Sequence, residues 1–190
     1  MTRQRILAAA GAEFARHGYA GCGIAGIVEA AGLTKGALFH HFSDKQSLAA
    51  AWVDEVLAVG IRERWLEPLA AVDSLAGLKR LCRDRLEPVG GDDPTFLLAG
   101  LSAELARQGG DLAERMDSLF GVWRTAIAEA LDRGRRDGWV YPSVKPSGEA
   151  ALLAALVTGA LLQAVTSPDP AVRLACLTAM EDYLDTLRNA

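Results

Sequence analysis

Beyond residue 41 the 190-residue chain contains no histidine, because His17, His40 and His41 are the only three. Without histidine, the later part of the chain cannot build a di-iron bundle on Glu-x-x-His pairs or activate a serine or cysteine through a histidine base. Cysteine is scarce too: Cys22, Cys82 and Cys176 are far apart and lack metal-ligand spacing, so reduced, mostly buried thiols are expected. β-Branched residues are few, and no segment alternates in the manner of a strand. The longest apolar run, residues 150–165, has about 16 residues and includes Thr158 and Gln163, short of the roughly 20 that cross a bilayer. No basic region precedes an apolar stretch at the N-terminus, as a signal peptide requires. These absences point to a cytoplasmic, soluble chain with no catalytic residue, no metal and no cofactor.

What is abundant is alanine, leucine, glutamate and arginine, the composition of an all-α protein. Charge is uneven. Residues 1–48 carry five basic side chains against three acidic ones, whereas the other 142 residues carry 15 against 21. A small module facing a polyanion, on an acidic body, fits that asymmetry.

Along the chain, Thr2 is a candidate cap for a first helix over 2–17 with Ile6, Ala10 and Phe14 repeating every four positions, ended by Gly18. A short second helix fits between Gly23 and Ala31, broken by Gly32. Thr34 then caps a third over about 35–41 that buries Leu38 and Phe42. Two short helices joined by a tight glycine-containing turn, behind a longer one, form a helix-turn-helix signature. Ser43 or Asp44 can cap a fourth helix, which begins near Lys45, carries Leu48, Trp52 and Val56 on one stripe and runs to Trp65, before Pro68. Further helices are expected at about 73–87, 95–107, 110–137, 147–166 and 170–188, separated by glycine and proline breaks that include Gly90-Gly91 and Ser167-Pro168.

The stretch "GYAGCGIAGIVEAAGLTKGALFHHFSDKQSL", residues 18–48, resembles the DNA-binding region of the TetR family of transcriptional regulators. The likeness rests on the Gly-Tyr that ends helix one, Ile27, Ala30-Ala31-Gly32, Thr34-Lys35-Gly36, Leu38, the aromatic at 39, His41-Phe42 and Lys45. It implies a three-helix DNA-binding domain over 1–48, then a larger ligand-binding and dimerisation domain over 49–190, about nine helices in all. Thr34 and the N–H groups opening helix three suit a phosphate oxygen. Lys35 can reach a base acceptor or a phosphate, and Gly36 admits close backbone approach. Ala37, Phe39 and His40 complete the expected DNA face. His41 either faces outward or hydrogen-bonds within the domain, and Lys45 is placed by the resemblance against a phosphate. Cys22 and Gly23 stand where the family commonly has Thr or Ser opening helix two, and Phe39 stands where it commonly has tyrosine.

The resemblance also implies a homodimer that responds to a small molecule and recognises a double-stranded operator. Candidate ligand-facing residues are Trp52, Val56, Phe96, Leu97, Leu101, Met116, Phe120 and Trp123, of which the tryptophans, phenylalanines and methionine suit an apolar pocket as well as an ordinary core. Small residues on the last two helices, Ala155, Gly159, Ala160, Ala175 and Ala179, suit a close-packed seam between two copies, and equally burial within one. The rival to a regulator is a helical carrier or partner-binding module, for which the Gly-Leu-Thr-Lys-Gly turn has no purpose.

Overall fold

A computed structural model describes residues 1–86, 91–167 and 169–189; the expected helix end at 87 and the breaks at Gly90 and Pro168 lie outside them. Nine helices follow in order among the described residues. They are α1 (Thr2–Gly21), α2 (Ile24–Ala31), α3 (Lys35–His41), α4 (45–70), α5 (Leu75–Leu86), α6 (Pro94–Leu105), α7 (Asp111–Asp137), α8 (Pro146–Thr166) and α9 (Pro170–Asp185). The expected all-α class is observed, and among the described residues the breaks at Gly32, at 91–93, at Gly109-Gly110 and at 138–145 fall where glycine and proline were expected to place them.

The chain divides into two compact units, one of residues 1–60 with 91–119 and the other of 61–90 with 120–190. In the first, α1 packs on α2, α4 and α6. Ile6, Ala10, Phe14, Ile27, Leu38, Leu48 and Trp52 are each at most 2% exposed and make its core, each large side chain contributing on the order of 2 kcal/mol by leaving water. Trp52 meets Phe14 edge-on, ring centroids 5.3 Å apart. In the second unit, α8 and α9 pack on each other and on α5, and Trp65, Trp123, Leu131, Leu161 and Leu184 are buried.

Three expectations need correction. Thr2 is the first residue of α1 and not its cap; Met1 holds that place without a side-chain bond. The fourth helix does not stop before Pro68 but continues to residue 70. Its ladder contains two π turns, Val53–Leu57 and Arg62–Leu66, and proline at 68 has no N–H to give back to the preceding turn. Arg64 O, the acceptor a residue at 68 would ordinarily meet, takes a hydrogen bond from Arg85 Nε at 2.8 Å instead. Each π turn adds a residue to its turn, because the bond runs i to i+5. The Leu48–Trp52 stripe therefore continues at Leu57, 2% exposed, and Val56 is 39% exposed.

The third correction concerns the apolar run at 150–165, which lies inside a 21-residue helix, α8, long and apolar enough to cross a membrane. One side of α8 is packed within the chain through Ala150, Leu153, Ala154, Val157, Ala160 and Leu161. Its other side leaves Leu152, Leu156, Leu162 and Val165 exposed.

Candidate nucleic-acid interface

The DNA-facing candidates stand on α3 because its two ends are fixed by local chemistry. Thr34 is the N-cap, and its Oγ1 accepts a hydrogen bond from Ala37 N at 3.2 Å, using one of the orphan donors of the first turn. Ahead of it, Gly32 ends α2 in the left-handed region at φ 60°, ψ 42°. Arg5 Nη2 reaches across from α1 to Ala31 O at 2.7 Å, capping the end of α2. Leu38 and Phe42 are buried, so the rest of α3 is turned outward. Lys35, Gly36, Phe39, His40 and His41 are exposed, and Ala37 is half-buried.

His41 is thus on the outside of the unit, with its ring against that of His40, centroids 5.2 Å apart. A Cβ at Gly36 would meet nothing nearer than Thr34 Oγ1 at 3.9 Å. Packing within the chain makes no demand for glycine there, and the open backbone admits a close partner. The helix-two opening has no side-chain cap at Gly23, as expected from the absence of Thr or Ser. Cys22 is buried, and burial raises its thiol pKa, which keeps it a thiol.

Lys45 opens α4 next to a firmly fixed cap. Asp44 accepts from Ser47 N at 2.7 Å while Ser47 Oγ accepts from Asp44 N at 3.2 Å, a reciprocal capping box. The bond from Ser47 N holds the Asp44 carboxyl below the usual carboxylate range. Lys45 Nζ donates to Cys22 O at 2.7 Å and sits 4.4 Å from the centroid of the Tyr19 ring. The ammonium is held at the α1–α2 junction rather than waving in solvent, and its three donors leave capacity for one more acceptor.

This geometry, an outward-turned short helix behind a glycine turn with a positioned lysine after it, occurs in a chain with recognisable relatives. Residues 6–52 match the model described as "Bacterial regulatory proteins, tetR family", and residues 101–189 match "BetI-type transcriptional repressor, C-terminal". A solved TetR transcriptional regulator from Chloroflexus aurantiacus is 30% identical, with a TM-score of 0.85 over all of this chain and 97% of that one. The chain belongs to the TetR family. Among TetR-family relatives, the A-factor receptor protein of Streptomyces griseus is 30% identical over 88% of this chain and 56% of its own length. The regulatory protein RaaS of Mycobacterium tuberculosis is 34% identical over 82% of this chain and 66% of its own length. The chain thus spans a little over half to about two thirds of those two relatives.

The expected ligand-facing residues are divided between the two units. Trp52, Val56, Phe96, Leu97, Leu101 and Met116 belong to the first unit, Phe120 and Trp123 to the second. In the second, Trp123 is fully buried, 5.0 Å from the Trp65 ring and 6.1 Å from that of Phe120. Trp65 was not among the expected residues, since nothing in the spacing of 65 and 123 pairs them.

Four of the five expected seam residues, Ala155, Gly159, Ala160 and Ala179, line one open groove of about 370 Å³ between α8 and α9, with Leu156 and Met180. Ala175 is exposed outside that lining. At the edge of the groove, Tyr183 donates to Glu149.

Proposed function

We propose that this chain is a homodimeric, DNA-binding transcriptional regulator, a repressor that an apolar or aromatic small molecule releases from a palindromic operator. The observation that carries it is the outward face of α3: a capped helix that buries only Leu38 and presents Lys35, Gly36, Phe39, His40 and His41 in the stretch where the regulatory-protein model matches. Histidine and lysine at that face supply donors for base edges and phosphates. Thr34 and Lys45 flank it as phosphate contacts. The domain division at 48/49 belongs to this reading.

The relatives named as regulators support it, and so does the exposed side of α8 and α9. Leu152, Leu156, Leu162 and Leu174 are too many large apolar groups to leave in water on one side of a helix pair. A second copy meeting that side through Ala155, Gly159, Ala160, Ala175 and Ala179 would cover them and set two α3 helices at half-sites about one helical turn apart or more. An enzyme reading has no counterpart in the family's regulators.

Selection of bound fragments from the source genome tests the proposal directly. A palindrome should emerge, and titration of the selected duplex should weaken steeply with salt as counterions are released. Retention of apolar small molecules with no retention on any duplex would favour a carrier. The effector part is tested by tryptophan quenching with and without duplex, since a ligand that releases DNA must bind more weakly to the DNA-bound form by the same factor.

A further inference from the structure

Glu104, near the end of α6, places both carboxylate oxygens on successive backbone donors of the α1–α2 junction. Tyr19 N donates to Oε2 at 2.9 Å and Ala20 N to Oε1 at 2.6 Å. Those two donors are free to turn outward because Gly18 interrupts α1 at φ 68°, ψ 175°, a region open only to glycine. The site is matched to the carboxylate from both sides, since a Cβ on Gly18 would lie 2.7 Å from Glu104 Oε2.

The segment pinned in this way is the one that holds Lys45. Tyr19 supplies the ring face under the ammonium and Cys22 supplies its carbonyl acceptor. Tyr19 is itself partly buried, its ring 6.0 Å from Phe14. Two anion-to-N–H bonds of this kind are among the stronger hydrogen bonds of a folded chain. Their loss would leave Tyr19 N and Ala20 N without a partner and would loosen the platform beneath Lys45.

We propose that Glu104 is the positioning residue for Lys45: it does not touch DNA but fixes, through Tyr19 and Cys22, the place where the ammonium meets a phosphate. A displacement of α6 that withdraws the carboxylate would then lower duplex affinity without any change on α3. The inference rests on the duplex-binding reading only for its consequence, because the positioning itself can be read without DNA.

The experiment compares the full chain with Glu104→Gln, Lys45→Ala and the double variant. Glutamine keeps the shape and one acceptor oxygen but replaces the other with a donor that cannot serve an N–H. Without DNA, wild type should show slow amide exchange at Tyr19 and Ala20 and ring-current-shifted Lys45 ε-methylene protons. In Glu104→Gln, exchange should accelerate about tenfold at Ala20 or Tyr19, and the Lys45 shift should move toward its free value. With the selected duplex, Glu104→Gln should weaken binding roughly three- to tenfold. Lys45→Ala should then cost much less on the Glu104→Gln background than alone, the mark of one pathway. Unchanged exchange and an unchanged Lys45 shift overturn the proposal whether or not the chain binds DNA; strictly additive effects on duplex affinity overturn its functional half. Absence of duplex binding in wild type sinks the regulator reading instead, and the positioning is then decided by the exchange and shift data alone.

Discussion

Trp52 and Leu57 are each 2% exposed although five positions separate them, a spacing that an unbroken α-helix places on different faces. The π turn Val53–Leu57 accounts for it. Leu57→Ala should therefore cost about 2–5 kcal/mol, as a large-to-small change in a packed core does. Val56→Ala should stay within about 0.5 kcal/mol, as at an exposed site. Denaturant unfolding of the two variants checks the register, and a larger loss at 56 than at 57 would refute it.

Gly18→Ala introduces a side chain at φ 68° and into Glu104 Oε2. Backbone strain alone costs on the order of 1–3 kcal/mol. The thermal midpoint should drop clearly, whereas Gly23→Ala, where a Cβ meets nothing within 4 Å, should leave it nearly unchanged. Equal midpoints for the two variants would show that the kink at 18 is dispensable.

Acid should act on α4 through its cap. Because Ser47 N holds the Asp44 carboxyl below its ordinary range, the cap's contribution is fully present above the unfolded value of about 4 and is lost as pH falls through the lower folded value. Asp44→Ala should be less stable than wild type near neutrality, and the two should converge in acid. Glu55, lowered by its bond from Arg3, and Asp185, lowered by Lys79, add to the same acid limb. A gap between wild type and Asp44→Ala that widened on acidification would reverse the assignment.

Leu156, 36% exposed, is a cleaner probe of the proposed seam than Ala160, which is 6% exposed and already packed within its own chain. Leu156→Arg should sediment as a monomer with its helical circular dichroism intact, since a charge in a close-packed seam is costly without a partner. Continued dimerisation of this variant would place the interface elsewhere.

Lys35→Ala and Lys45→Ala should each weaken duplex binding and flatten its salt dependence, the slope falling by about one for each ammonium that no longer meets a phosphate. Lys45→Ala should act nearly equally on all sequences. Salt titrations that coincide with wild type would remove the two lysines from the interface.

Much of this protein was legible in one dimension because the signals are local. Thr34 and Asp44 cap the helices they precede, Gly32 ends α2, and Pro94, Pro146 and Pro170 open the helices that follow, each through bonds or steric limits that reach only a few residues. Most of the outward face of α3 was readable as well, since burying Leu38 and Phe42 leaves Phe39 and His40 to the outside, whereas His41, open in the sequence between an outward place and a bond within the domain, is exposed. Periodicity failed where a helix changed its own period, as between Trp52 and Leu57, because an inserted residue shifts every position after it. Only the tertiary structure could bring Glu104 to Tyr19, 85 residues away in sequence, or set Trp65 against Trp123. Such pairings depend on how packed helices close the chain on itself, and no residue carries in its neighbours the identity of a partner so distant.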